Sequence, residues 1–142
     1  MTVEIARISK TDQAWLASLN SQVNLTDDDE ATLRQCLRIS AVSWIGSVDG
    51  KAACVWGLVP PTLMSDQAYV WLFTSEIVEA HQFLLVRYSQ MMVEDMLKEF
   101  GTLVGHCKIG AFRSMRWLRW LGAVFGKPTG KGIPFMIRRK DG

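Results

Sequence analysis

Apolar residues along this chain alternate in some stretches and recur every three or four positions in others, and these two periods divide it into elements. Val3-Glu4-Ile5-Ala6-Arg7-Ile8 alternates and predicts a half-buried strand. Ala14, Trp15, Leu16 and Leu19 predict a short helix, with Thr11 as its cap and Asp12 at its positive end. Ser21 to Thr26 reads as a loop. Thr26 or Asp27 caps a second helix, whose first turn holds Asp28, Asp29 and Glu30 and whose buried side is Leu33, Cys36, Leu37 and Ser40. Negative charge at a helix start accounts for the acidic run, which lacks the spacing of a calcium loop.

Ser43–Val48 and Lys51–Leu58 predict a hairpin across Asp49-Gly50, a dipeptide suited to the positive φ angles of a two-residue turn. Pro60-Pro61 ends the second strand. Ala68–Thr74 is an apolar, aromatic run that suits a central strand. From Glu76 to Phe100 the period is helical, carried by Phe83, Leu84, Val86, Met91, Val93, Met96 and Leu97, and one long helix is expected with Gly101 at its end. A strand follows at Thr102–Cys107, then a helix at Ala111–Leu121 that stops on Gly122. Ala123–Phe125 and Ile133–Ile137 read as final strands joined by a flexible turn. The strand–helix–strand step from Tyr69 to His106 implies a parallel pair, and the hairpins imply antiparallel neighbours. An α/β arrangement follows, a mixed central sheet with helices on both faces, expected as a single domain over residues 1–142.

Charge adds an asymmetry that the overall balance hides. Met1 to Cys107 carries 7 basic and 13 acidic residues, whereas Lys108 to Gly142 carries 9 basic and 1 acidic, giving −6 and +8. A basic face toward an anionic partner is one reading, and solvated surface is the other. Cys36, Cys54 and Cys107 are scattered and form no CxxC pair, which suits buried thiols in a reducing compartment. The chain's two histidines supply a metal site poorly, so none is assigned. No apolar run approaches the roughly 20 residues of a membrane span, and the start lacks a secretory signal pattern, so a cytoplasmic protein is expected.

The element order, the opening Ile5-Ala6-Arg7-Ile8, the hairpin Ser47-Val48-Asp49-Gly50-Lys51 and the late helix Trp117-Leu118-Arg119-Trp120-Leu121-Gly122 together resemble the GNAT N-acyltransferases over essentially the whole chain. The resemblance implies a sheet opened between its fourth and fifth strands to take acyl-CoA, with the pyrophosphate on a Gly-rich loop at the start of the long helix. Helix N-termini favour anions, and glycines let phosphate approach the backbone. Here that stretch is Thr74-Ser75-Glu76-Ile77-Val78-Glu79-Ala80-His81-Gln82-Phe83, which has no glycine and two carboxylates. The tyrosine that protonates the leaving thiolate in the family falls on Leu118, and an asparagine near the start of that helix falls on Ala111 or Gly110. Trp71-Leu72-Phe73-Thr74-Ser75, the helix after it and Leu121-Gly122-Ala123-Val124-Phe125 also resemble the GNAT-like internal virion proteins of podovirus-type phages.

These likenesses imply a phage-type virion or assembly protein that works through binding surfaces and has a degenerate acyl-CoA site. It would reside in the host cytoplasm or the virion, with a virion or host protein as its partner. The alternative is an active N-acyltransferase using acetyl-CoA. Acyl-CoA, if bound, would meet Phe73, Thr74, Ser75, Ala80 and His81, and Glu76 is the candidate base. A simpler role for Glu76 is favourable charge at a helix start. Neither Tyr69 nor Tyr88 is assigned a catalytic role. Arg113, Arg116 and Arg119 recur in steps of three and share a helix stripe, offered to an acidic protein, to the CoA 3′-phosphate or, more weakly, to nucleic acid. Trp117 and Trp120 are expected against the sheet.

Overall fold

A computed structural model describes residues 2–8 and 27–140, so the helix expected over Thr11–Leu19, the loop after it and a cap at Thr26 lie outside the described residues. The strands are β1 (Val3–Arg7), β2 (Val42–Val48), β3 (Lys51–Val59), β4 (Gln67–Thr74), β5 (Thr102–Cys107), β6 (Val124–Phe125) and β7 (Ile133–Arg138). The helices are α1 (Asp27–Ile39), α2 (Glu76–Ala80), α3 (Gln82–Glu99) and α4 (Phe112–Trp120). One sheet takes the order β1-β2-β3-β4-β5-β7-β6. β4 and β5 are parallel, while β1 with β2, β2 with β3, β5 with β7 and β6 with β7 are antiparallel. The mixed sheet with helices is therefore as expected. The chain falls into two compact units, Met1–Val59 with Trp71–Leu84, and Pro60–Val70 with Leu85–Gly142.

In the first unit the hairpin turns at Asp49 (φ 51°) and Gly50 (φ 80°), the pair of positive angles that a two-residue turn needs to match strand twist. β3 is buried at seven successive positions, Ala52 to Leu58, as a strand covered on both faces must be. α1 lays Leu33, Cys36 and Leu37 onto Ala52, Val55 and Trp71, with Ile45, Val59 and Phe73 around them. Burying a leucine as fully as Leu33 stabilises the fold by about 2 kcal/mol. The Trp71 indole Nε1 donates to Ser40 Oγ at 2.7 Å, and the Ser40 hydroxyl donates in turn to the Cys36 carbonyl. The one polar atom of a large core ring is thereby satisfied.

In the second unit α3 buries Ser89, Met92, Val93 and Met96, one face at helical spacing. Ser89 Oγ donates to the Val86 carbonyl at 2.9 Å and accepts from Trp117 Nε1 at 3.1 Å, which ties α4 to α3. α4 ends in a Schellman motif. Gly122 has φ 101°, its N–H reaches the Arg119 carbonyl, and the Ala123 N–H reaches that of Leu118. β5 pairs with β7 over its full length, from Thr102↔Arg138 to Cys107↔Ile133.

Three expectations need correction. The single helix over Glu76–Phe100 is two helices, because His81 leaves helical geometry (φ −132°, ψ 56°) and its N–H bonds to both Ile77 and Val78 carbonyls, closing α2. The apolar stripe is narrower than its spacing predicts, since Phe83, Val86 and Met91 are exposed. Trp120, expected against the sheet, is 53 % exposed, while Trp117 is half-buried and donates its indole N–H to Ser89 of α3.

Candidate functional site

The stretch expected to seat a diphosphate follows directly from β4. Phe73 packs into the core of the first unit, edge-on to Trp71 with ring centroids 6.0 Å apart. Thr74 is half-buried. Ser75 is 1 % exposed. Its N–H donates to the Ala53 carbonyl at 2.7 Å, which fastens the end of β4 to β3. Its Oγ accepts from the Ile77 N–H at 3.3 Å and its carbonyl accepts from the Val78 N–H at 3.1 Å. Ser75 is thus an N-cap that consumes first-turn donors an incoming anion would use. Glu76 is exposed at the start of that turn. Ala80 is exposed, and His81 is half-buried with its ring edge-on to Phe83 at 5.9 Å. Of the residues named from sequence, Thr74, Glu76, Ala80 and His81 retain exposed surface, whereas Phe73 and Ser75 are committed to the fold.

The second unit has a different character. A cleft of about 1100 Å³ is lined by α3, β5, β6, β7 and the end of α4, with Trp120, Phe125 and Phe135 and the charged Glu94, Lys98, Arg139 and Lys140 among its lining. Phe125 and Phe135 lie 6.5 Å apart, and the Arg119 guanidinium stands 5.5 Å over the Phe125 ring. Arg113 and Arg116 are exposed on α4 with Arg119, so the stripe read from spacing is present. Arg139 is partly spent, since its Nε donates to the Leu97 carbonyl at 2.7 Å near the end of α3. Leu118 is half-buried and brings no phenol to α4, and Ala111 caps that helix without a side-chain hydrogen bond.

One polar pair escaped the sequence reading. Tyr69 Oη on β4 and His106 Nδ1 on β5 are 3.0 Å apart, with ring centroids at 5.8 Å. Parallel pairing of these strands runs from Gln67↔Thr102 to Tyr69↔Val104 and ends there. The usable signal was parity: on parallel neighbours, Tyr69, Val104 and His106 all fall on one face. That inference needs the register, which local spacing does not supply.

The three thiols are free. Burial pushes the Cys54 thiol up from 9.0 to about 12, against a smaller opposing backbone hydrogen bond from Gly46. Burial also raises Cys36. Neither is a ready nucleophile. No described helix is long and apolar enough to cross a membrane.

No protein-family model matches the sequence, and no curated protein sequence is detectably similar to it. Solved structures are similar across nearly the whole chain. The ribosomal-protein-S18-alanine N-acetyltransferase of Escherichia coli superposes with a TM-score of 0.72 at 15% identity, over 96% of this chain and 94% of its own. A Bacillus subtilis acetyltransferase, crystallised in complex with CoA, gives 0.72 at 10% identity over 98% and 100%. The GNAT domain of S. lividans PAT gives 0.73 at 13% identity over 96% and 90%. With the strand order and the parallel β4–β5 pair already described, these superpositions establish that the chain has the GNAT acetyltransferase fold.

Proposed function

We propose that this protein is an N-acyltransferase that moves an acyl group from an acyl-CoA thioester to an amine. The observation that carries the reading is the end-to-end match to acetyltransferase structures, one of them crystallised with CoA.

The two ends of the donor fare differently in this reading. The diphosphate loses a seat, since the Ile77 and Val78 N–H groups bond to Ser75 and Glu76 adds a carboxylate nearby. This reading leaves the acyl-pantetheine end to supply the binding. Binding therefore rests on the pantetheine, and the nucleotide contributes little. The test is transfer of labelled acetyl from acetyl-CoA to primary amines, run beside a calorimetric titration. Transfer with saturation below millimolar donor is expected. Absence of both transfer and heat at millimolar acetyl-CoA overturns the reading.

A second reading is a GNAT-fold binding protein without transfer, of the kind found among phage virion components. The closed turn at Ser75 and the leucine at position 118 favour it. It predicts no turnover with any amine and a protein partner that protects the Arg113–Arg119 face from modification.

A further inference from the structure

We propose that His106 is the general base of this transfer and that Tyr69 positions it. The inference rests on the acyltransferase reading. Tyr69 is the last β4 residue in the parallel ladder, opposite Val104, and His106 lies two positions further along β5 on the same face. His106 is half-buried and is one of the residues that line the cleft of the second unit, and Tyr69 is 41 % exposed. The ring is therefore held on one side and reachable on another.

The hydrogen bond sets the chemistry. When Nδ1–H donates to Tyr69 Oη at 3.0 Å, the lone pair is on Nε2. An acceptor arrives as an ammonium and gives one proton to Nε2. The imidazolium keeps its Nδ1–H on the phenol oxygen, which steadies the ring in the charged state. The freed amine attacks the thioester carbonyl carbon, the C–N bond forms, and the C–S bond breaks with its electron pair leaving on sulfur. The second nitrogen proton passes to the thiolate, and the imidazolium returns its proton to solvent. The products are an amide, a thiol and one proton. No carboxylate is needed for this sequence, and Leu118 is not asked to donate.

The cleft that His106 lines also carries Glu94 and Lys98 from α3 and Arg139 and Lys140 after β7. Across β7 the residue opposite His106 is the neutral Pro134. Arg138 stands on the same face further along that strand, and its Nε donates to the Met136 sulfur at 3.1 Å. From β4 the facing titratable group is Tyr69 itself.

The full chain is assayed for acetyl transfer from acetyl-CoA to n-butylamine and to a peptide with a free N-terminal alanine. His106→Gln is expected to lower kcat by about 10²- to 10⁴-fold, with KM nearly unchanged and the acid limb of the kcat/KM profile lost. His106→Glu is expected to recover part of the rate, because a carboxylate also accepts a proton. Tyr69→Phe lowers kcat by less, and the ¹⁵N shifts of the His106 ring move from one tautomer toward a mixture. If His106→Gln is folded by circular dichroism and keeps the wild-type kcat and acid limb, the base role is overturned while the acyltransferase reading stands. Unchanged ring shifts in Tyr69→Phe overturn the positioning role, even if His106→Gln fails to fold. If the wild type transfers acetyl to neither amine, the acyltransferase reading falls and the base role with it.

Discussion

The turn after β4 and the β5 side of the second unit treat their polar groups in opposite ways. At Ser75 the N–H, the hydroxyl oxygen and the carbonyl are each committed to protein partners, and the neighbouring Trp71 spends its indole nitrogen on Ser40. On β4 and α4, Tyr69, Trp120 and three arginines keep exposed surface, and the cleft is lined by aromatic rings and by charged residues of both signs. Groups that satisfy one another hold a fold but offer little to a ligand, whereas exposed groups contribute little to stability and are available for recognition. The contrast separates where this chain keeps its architecture from where it keeps its options.

Substitutions can break that contrast. The largest loss is expected at Trp71→Ala, which empties a core position and leaves Ser40 without its donor. About 4 kcal/mol should be lost in urea unfolding, and a loss below about 1 kcal/mol would contradict the core described for the first unit. Gly122→Ala forces a side chain onto φ 101° and should cost about 1–2 kcal/mol, read as a lower unfolding midpoint. Ser75→Ala removes the cap of α2 and should cost about 1 kcal/mol. At the small end, Arg113→Ala with Arg116→Ala should shift stability by no more than about 0.5 kcal/mol. A larger shift would mean that this stripe is structural and not a free face.

The cysteines sharpen the contrast through pH. Cys54 has a raised pKa in the folded state, so folding favours its protonated form. Its contribution is fully present below pH 9 and is lost as pH rises toward about 12. Stability of the wild type should therefore fall more steeply than that of Cys54→Ala over that alkaline window. Iodoacetamide at pH 8 should leave Cys54 unmodified in the native protein.

Much of the fold was legible because its signals are local. Alternation marked β1, Asp49-Gly50 fixed the hairpin turn, Gly122 closed α4, and Thr102–Cys107 is the strand the pattern predicted. The break at His81 was not legible, since nothing in Ala80-His81-Gln82 forbids a helix; it shows only in the backbone angles of His81, φ −132° and ψ 56°. Exposure of Phe83 and Met91 follows from how α3 is rotated, which a stripe of apolar residues too wide for one face leaves open. At the site, the absence of glycine was legible, yet the capped helical turn that this stretch forms depends on Ser75 reaching β3. The Tyr69–His106 pair depends on strand register and was invisible for that reason.

The decisive measurement is a paired calorimetric titration with acetyl-CoA and S-acetyl-pantetheine, the same thioester without the nucleotide. A diphosphate denied the Ile77 and Val78 amides should add little, so the two dissociation constants are expected to agree within about threefold, a difference below 1 kcal/mol. Acetyl-CoA binding a hundredfold more tightly, an advantage of nearly 3 kcal/mol, would mean that the phosphates are held firmly after all and would contradict the account of the turn at Ser75.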